Sequence, residues 1–389
     1  MDARVKPRRL EHEFDRVALA LQGGGALGAY QAGAYAALFE QGVLPDWVVG
    51  VSIGAINAAL IAGNPPERRI QAIDAFWHRI TRFMPGQFAL PDLPVSPAVT
   101  NWITASRNLM FGQPAFFKPR VPPPLFWPQD TEQALSYYDI TPLRDTLLEF
   151  VDFDRLNDGP VRVSVGAVDI YNGNTLYFDT RERRLGPEHI MASGALPPGF
   201  PPVEVEGRWY WDGGLASNTP LDYIMHDTPR PDTLVFQIDL WPAKGEFPRN
   251  IIDVGERAKE IQYSSRTRLN STQAVREMQL KRRVRKLLGR LRHEDEEADA
   301  LMRELEAECA GGVATIVHLI YQARPYEHDS KDYNFGRRMM EEHWHSGEAD
   351  VARVFRLPDL LEKPTVEVGI RVVASDKVEG LGTRVKTDR

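Results

Sequence analysis

A serine interrupts an otherwise apolar run at residues 47–63, with a glycine two positions to either side. The motif Gly50-x-Ser52-x-Gly54 fits G-x-S-x-G, in which a sharp turn from a strand to a helix presents a nucleophilic serine. The glycines carry no side chain that would clash in such a turn, and the following helix would place its positive dipole end beside the serine oxygen. An N-cap serine at a strand–helix junction is the alternative.

A second glycine motif lies one strand earlier and comprises Gly23, Gly24, Gly25 and Gly28. Its spacing satisfies the dinucleotide fingerprint G-x-G-x-x-G, but the next strand does not end in the acidic residue that would bind a ribose. No Gly-Lys-Ser/Thr follows, which excludes a Walker loop. Consecutive glycines also let backbone N–H groups face a developing oxyanion, and Gly24 and Gly25 are the natural donors. Close helix-on-strand packing is the alternative, and it explains Gly28 better than the triplet.

A nucleophilic serine needs a base to take its proton. The usual candidates are histidines, which occur at nine positions: 12, 78, 189, 226, 293, 318, 328, 343 and 345. None of them stands in a motif that would place it beside a serine. Asp212 is a different candidate, since it follows a stretch that ends in aromatic residues and precedes Gly213 and Gly214. Taken alone, Asp-Gly predicts only a hairpin turn.

The order of these blocks resembles that of the patatin-like phospholipases. The glycine loop, the G-x-S-x-G elbow, the segment SGALPPGFPPV and Asp-Gly-Gly follow one another as in that family, and the similarity covers residues 14–325. Each motif alone is weak evidence for the family, whereas the four motifs in this order are specific to it. The resemblance implies a three-layer α/β/α core with a central, mostly parallel sheet, and a lipid acyl ester as the substrate.

The resemblance also implies the site residues. Ser52 would attack the acyl carbonyl and Asp212 would accept its proton directly, as a Ser-Asp dyad that needs no histidine, metal or cofactor. The oxyanion hole would comprise Gly23, Gly24, Gly25 and Gly28, and the elbow and its support Gly50, Gly54, Gly213 and Gly214. Leu27 departs from the family, which often carries lysine or arginine there, so we expect no electrostatic help from that side chain.

Composition and charge limit the classes of partner and compartment. The chain has 389 residues, of which 43% are hydrophobic and 26% charged, a composition typical of globular proteins. A chain of this length can form a core large enough to contain a buried active site. A net charge of -7 argues against nucleic acid as the main partner. Cys309 is the single cysteine, which excludes an intrachain disulfide and fits a reducing compartment.

The sequence predicts neither a signal peptide nor a membrane span. The N-terminus is basic but no apolar h-region follows it, and the run at 47–63 is too short and too interrupted to cross a bilayer. We therefore expect a cytoplasmic protein, with peripheral contact at a membrane as a further option. The sequence gives no oligomeric state.

Alternating elements also predict the parallel sheet. RVALAL and DWVVGV are typical of buried strands, each followed by a small-residue helix, and DTLVFQIDLW and ATIVHLIY are two more strands. VRVSVGAVDIY and TLYFDT flank Asn172 and Gly173, which predicts a hairpin. Residues 251–310 are predicted to be helical.

Two segments fall outside this alternation. Residues 83–138 are rich in proline and aromatic residues, which predicts an insertion that is either a lid over an acyl pocket or a cap with its own core. Its candidates for facing the site are Phe111, Phe116, Phe117, Phe126 and Trp127. Residues 326–389 form a polar C-terminal extension, in which His328, His343 and His345 stand among carboxylates without the spacing of a metal site.

The stretch KRRVRKLLGRLR at residues 281–292 has seven basic residues among twelve and an apolar stripe at helical spacing. Such a helix could lie on an anionic membrane. The alternative, which we favour, packs the stripe on the core and pairs the basic residues with the acidic stretch at 294–297. The stripe comprises Val284, Leu287, Leu288 and Leu291.

The sequence thus predicts a serine acyl hydrolase of fatty-acyl lipid esters that acts through an acyl-Ser52 intermediate. Thioesters or small acyl esters are alternative substrates for the same mechanism. A non-catalytic scaffold that binds lipid or a protein partner is the alternative from a different class. The intact Ser52 and Asp212 argue against the scaffold.

Overall fold

A computed structural model describes residues 9–82, 96–290, 296–324, 327, 330–366 and 368–374. The strands are β1 Arg16–Leu21, β2 Trp47–Val51, β3 Lys118–Pro119, β4 Tyr138–Asp139, β5 Arg162–Asp169, β6 Thr175–Asp179, β7 Val203–Val205, β8 Arg208–Asp212, β9 Thr233–Asp239, β10 Ala314–Ile320 and β11 Ile370–Ala374. The helices are α1 Gly28–Glu40, α2 Ile53–Ala62, α3 Pro66–Ile80, α4 Pro97–Phe111, α5 Thr141–Phe150, α6 Phe153–Asp158, α7 Pro187–Ser193, α8 Leu221–Met225, α9 Ile251–Leu288, α10 Glu296–Cys309 and α11 Arg337–Val354.

Within the described residues, nine strands form one sheet in the order β11-β10-β9-β1-β2-β5-β8-β7, with β6 also paired to β5. The strands from β11 to β5 are parallel, and the pairs made by β6, β7 and β8 are antiparallel. The predicted hairpin is β5–β6, whose turn includes Gly173 at φ 70°.

Helices cover both faces of the sheet because its strands present apolar side chains alternately to each side. Val17, Leu19 and Leu21 of β1 belong to the larger core, which includes α1, α2, α3, α5 and α11. Ala18 and Ala20 belong to the smaller core, which includes α8 and α9. The predicted three-layer α/β/α class is therefore confirmed.

The parallel strands direct their carboxyl ends to one edge of the sheet, where ligands bind in folds of this class. The glycine loop follows β1 and Ser52 follows β2, and these two strands are adjacent. Asp212 ends β8, which lies beside β5 with Asp212 opposite Ala167. The sheet order thus brings three segments together that are far apart in sequence.

Helix α9 is 38 residues long, about 57 Å at 1.5 Å per residue. Its first turns carry Tyr263 beside the candidate site, and Met278 packs in the smaller core. Of the predicted apolar stripe, Leu288 is buried and Leu287 is 61% exposed. Leu291 and residues 294–295 of the acidic stretch lie outside the described residues, so both interpretations of the basic stretch stay predictions.

The described residues after 326 are integrated with the sheet. Strand β11 pairs with β10, and α11 packs along α1. The two helices meet through glycines, since a Cβ on Gly33 would lie 2.0 Å from the Trp344 carbonyl oxygen and a Cβ on Gly347 would lie 2.2 Å from that of Tyr30. The division of the chain at residue 325 therefore does not correspond to a break in the sheet.

Candidate active site

Ser52 occupies a strained turn between β2 and α2, with φ 56° and ψ -124°. A positive φ is uncommon for a residue with a side chain, and such strain costs about 1–3 kcal/mol. The Ser52 N–H donates to the carbonyl oxygen of Ser193 at 3.1 Å and lies 3.0 Å from its Oγ. The Ser193 hydroxyl in turn donates to the Gly166 carbonyl at 2.6 Å. These bonds to β5 and α7 hold the turn in place.

The two elbow glycines are required by close backbone contacts. A Cβ on Gly50 would lie 2.2 Å from the carbonyl oxygen of Gly54. A Cβ on Gly54 would lie 2.3 Å from the carbonyl oxygen of Leu21 at the end of β1. Helix α2 therefore starts in direct contact with the sheet, with Ser52 at its N-terminus.

Asp212 is buried at the end of β8 and lies beside the hydroxyl of Ser52 in the wall of one cavity. Its Oδ1 accepts the N–H of Gly214 at 2.7 Å, and its own N–H donates to the carbonyl of Ala195 at 3.0 Å. Burial raises the pKa of Asp212 to about 6, against the lowering effect of the Ser52 hydroxyl and the Gly214 N–H. The structure thus pairs the predicted nucleophile with a carboxylate that is more basic than usual.

The glycine loop presents two N–H groups that have no acceptor among the residues the structure describes. The N–H of Gly23 donates to the Asn218 carbonyl at 3.2 Å, and that of Ala26 donates to the Asp332 carbonyl at 2.8 Å. The two N–H groups without an acceptor belong to Gly24 and Gly25, and neither donates a hydrogen bond to any described residue. Both glycines line the same cavity as Ser52. The loop therefore has two donors available for a bound oxyanion.

Two of the predicted site glycines occupy packing positions: Gly28, predicted for the oxyanion hole, and Gly213, predicted as support. A Cβ on Gly28 would lie 2.3 Å from Ile53 Cγ1, where α1 meets α2. A Cβ on Gly213 would lie 2.5 Å from the Gly166 carbonyl oxygen on β5. Neither residue is among the described residues that line the cavity. We therefore assign Gly28 to helix packing rather than to the oxyanion hole.

Ser52 and Asp212 open into a cavity of about 310 Å³. Most of its lining is apolar or aromatic and comes from several elements: Ile53, Ile56, Leu109, Phe116, Phe117, Leu143, Leu196, Phe200 and Phe335. From the predicted insertion, Phe116 and Phe117 face this cavity, whereas Phe111 and Phe126 are exposed and residues 83–95 lie outside the described part. No histidine is among the described lining residues.

Sequence reasoning missed the residues that hold the loop. Asn218 Nδ2 and Trp241 Nε1 both donate to the Gly23 carbonyl at 2.9 Å. Asn218 follows Asp-Gly-Gly within six residues, and Trp241 follows the end of β9 beside β1, so their positions in the sequence held a usable signal. Ser193 is the first residue of the segment SGALPPGFPPV, so the sequence also held a signal for it, whereas Asp332 stands in no motif that could have revealed it.

Within the described residues, neither a metal-binding cluster nor a membrane-spanning helix is present. No group of three or more His, Cys, Asp or Glu side chains is placed there to hold a metal ion. His328 and Asp329 lie outside that part, so the predicted lack of a metal site stays a prediction. No described helix is long and apolar enough to span a bilayer.

Two family models match the chain. The one described as Patatin-like phospholipase matches residues 19–225, more than half of the chain. The chain belongs to the patatin-like phospholipase family. A second model, described as Patatin phospholipase, matches residues 261–367. The family matches thus include the glycine loop, Ser52 and Asp212 as well as the later segment that contains Asp332.

Curated relatives in the family align over a short stretch. Patatin-like phospholipase domain-containing proteins of Aspergillus oryzae and Aspergillus niger are 42% and 40% identical over 74 residues, which are 19% of this chain and 10% of each relative. The alignment thus spans about a tenth of those relatives. Among solved structures, VipD from Legionella pneumophila aligns at 14% identity and a TM-score of 0.35, over 88% of this chain and 71% of VipD.

Proposed function

We propose that this protein is a serine acyl hydrolase that cleaves fatty-acyl esters of lipids through a Ser52-Asp212 dyad. The observation that carries the proposal is the placement of Ser52 and the buried Asp212 in the wall of one apolar cavity, where the Ser52 hydroxyl lowers the pKa of the carboxylate. Membership of the patatin-like phospholipase family supports a lipid substrate. Concave apolar sites with a few polar groups suit acyl chains.

The proposed reaction has two steps. Ser52 Oγ attacks the ester carbonyl carbon while its proton passes to Asp212, and the C–O bond then breaks as the alcohol leaves with that proton. Acyl-Ser52 remains. Asp212 next takes a proton from water, whose oxygen attacks the acyl carbonyl, and the fatty acid leaves as Ser52 regains its proton.

The N–H groups of Gly24 and Gly25 are the proposed oxyanion donors, because neither bonds to an acceptor in the described part of the chain and both residues line the cavity. Loss of one such donor typically costs about 3 kcal/mol of transition-state stabilisation. Asp212, with its pKa of about 6, is ionised at neutral pH and still basic enough to take a proton.

Labelling by a fluorophosphonate, combined with ester hydrolysis, tests the proposal. Wild type should be labelled and should hydrolyse long-chain esters faster than short-chain esters, whereas folded Ser52→Ala should do neither. Faster turnover of short esters or thioesters would change the substrate class and keep the mechanism. An unlabelled, inactive wild type that binds lipid would overturn the proposal in favour of a scaffold.

A further inference from the structure

The glycine loop is held by a segment from the C-terminal part of the chain, residues 330–335, here called the clamp segment. The carbonyl oxygen of Asp332 accepts the N–H of Ala26 at 2.8 Å. A Cβ on Gly25, where φ is 55°, would lie 2.1 Å from the same oxygen. The Asp332 carbonyl therefore fixes the peptide that follows Gly25, directly beside the N–H groups of Gly24 and Gly25.

Lys331 anchors the clamp segment to α9. Its side chain is 1% exposed, and its Nζ lies 2.7 Å from a carboxylate oxygen of Glu256 and 2.6 Å from one of Glu260. On the same helix, the guanidinium of Arg257 forms a salt bridge with the carboxylate of Glu260 at 2.9 Å. A buried ammonium between two carboxylates resists displacement, because moving it leaves buried charges unpaired. The position of Asp332 is thus tied to α9 through its neighbour.

Lys331 also reaches the opposite side of the glycine loop. Its Nζ lies 5.6 Å from the ring centroid of Trp241, within the range of a cation–π contact. The Trp241 Nε1 donates to the carbonyl of Gly23 at 2.9 Å. A Cβ on Gly24 would lie 3.2 Å from that same Nε1, so Gly24 packs directly on the indole.

We propose that Lys331 is a positioning residue that fixes the oxyanion donors of Gly24 and Gly25. It places Asp332 on one side of these residues and Trp241 on the other, and it is not among the described residues that line the cavity. The inference rests on the proposed function, since it depends on the oxyanion role of the loop. Donors that act on the transition state change kcat when they move, whereas KM reports ground-state binding.

The main test is the triple variant Lys331→Met, Glu256→Gln, Glu260→Gln, which removes the ammonium without leaving two bare buried carboxylates. For the folded variant, verified by near-UV circular dichroism, we expect kcat on a long-chain ester to fall by about 10–100-fold, as for misplaced oxyanion donors. KM should stay within about twofold, since none of the three substituted residues lines the cavity. The rate of fluorophosphonate labelling should fall in parallel with kcat.

Lys281→Met is the matched control, because Lys281 makes an exposed salt bridge to Glu277 at 3.0 Å on the same helix, far from the loop. It should keep wild-type kcat and labelling. Trp241→Phe tests the same arrangement without changing a charge, since it removes the Nε1 donor to Gly23 together with one ring of the indole. It should also lower kcat and the rate of fluorophosphonate labelling.

The inference is overturned if the folded triple variant keeps wild-type kcat and labelling, or if KM alone rises. Should the triple variant not fold, an unchanged kcat in Trp241→Phe overturns it. Ser52→Ala, measured in parallel, separates the two proposals. Hydrolysis by Ser52→Ala would end the proposed function, whereas an inactive Ser52→Ala beside a fully active triple variant would end only the role of Lys331.

Discussion

The hydroxyl of Ser52 lies beside the carboxylate of Asp212 and lowers its pKa, while burial raises that pKa to about 6. An ordinary aspartate is a weak base, because its pKa lies near 3.9. Desolvation of Asp212 makes it a better proton acceptor, while the Ser52 hydroxyl and the Gly214 N–H keep it ionisable at neutral pH. The pair can therefore take on the task that a histidine performs in most serine hydrolases.

Ser52→Ala and Ser52→Gly should both abolish hydrolysis and fluorophosphonate labelling, but they should differ in stability. Glycine relieves the positive φ of residue 52, whereas alanine retains it. We expect Ser52→Gly to be about 1 kcal/mol more stable than Ser52→Ala, after the entropy cost of glycine is subtracted. Urea unfolding of both variants measures this difference. Equal stabilities would show that the turn stores no strain.

Asp212→Asn should lower kcat by about 10²–10⁴-fold, the usual contribution of a general base. Substitution of His189 or His343 should leave the chemical step unchanged, because neither residue lines the cavity. Single-turnover acylation measures that step separately from product release. An active Asp212→Asn together with an inactive, folded histidine variant would show that the base is misassigned.

The activity should rise with pH through the pKa of Asp212. The carboxylate must be ionised to accept the proton of Ser52, so kcat/KM should be half-maximal near pH 6 and constant above it. Below that pH the protonated form predominates and activity is lost. A profile of kcat/KM from pH 4.5 to 8.5 checks this expectation. A midpoint above pH 7.5 would require a different base.

Stability should show the opposite trend from activity. Since the pKa of Asp212 is higher in the folded protein than its ordinary 3.8, its stabilising contribution is full below about pH 4 and is lost as the pH rises to about 6. Two pKa units correspond to about 3 kcal/mol. The asparagine of Asp212→Asn cannot ionise. The free energy of unfolding of this variant minus that of wild type should therefore increase by about that amount from pH 4 to pH 8. Urea unfolding at both pH values tests this, and a constant difference would contradict it.

Gly25→Ala should reduce both stability and kcat, because its Cβ would meet the Asp332 carbonyl oxygen at 2.1 Å. Gly173→Ala is the matched control. Gly173 also has a positive φ, at 70°, but its Cβ would contact nothing within 4 Å. We expect about 1 kcal/mol of backbone strain in both variants and a loss of kcat only in Gly25→Ala. Similar kcat values for the two would show that the glycine loop tolerates displacement.

Much of the fold could be predicted from the sequence because the residues of each central strand themselves indicate a strand. RVALAL and WVVGV are short apolar runs that end at glycines or Ser52, and they form β1 and β2 as expected. The pairing of β11 with β10 could not be predicted in this way. The contact between α1 and α11 through Gly33 and Gly347 joins residues far apart in sequence, and no periodicity reports such a contact.

The candidate site was predictable to the extent that its residues stand in motifs. Ser52, Asp212 and the glycine triplet were named from glycine spacing and from the family's order of motifs, and the structure places them around one cavity. Gly28 could not be assigned from spacing, because packing and ligand contact both favour glycine. No feature of the sequence indicated that Lys331 is buried and paired. Its carboxylate partners lie about seventy residues earlier, and a lone lysine is usually exposed.

The position of β1 between β2 and β9 determines when the sheet can be completed during synthesis. Arg16 and Thr233 are register partners, 217 residues apart. At about 5–20 residues per second, the ribosome needs roughly 10–45 s to make the chain between them. During that interval the edge of β1 that pairs with β9 is unpaired, which favours aggregation or chaperone binding. β1 is therefore made well before it can be paired on both of its edges.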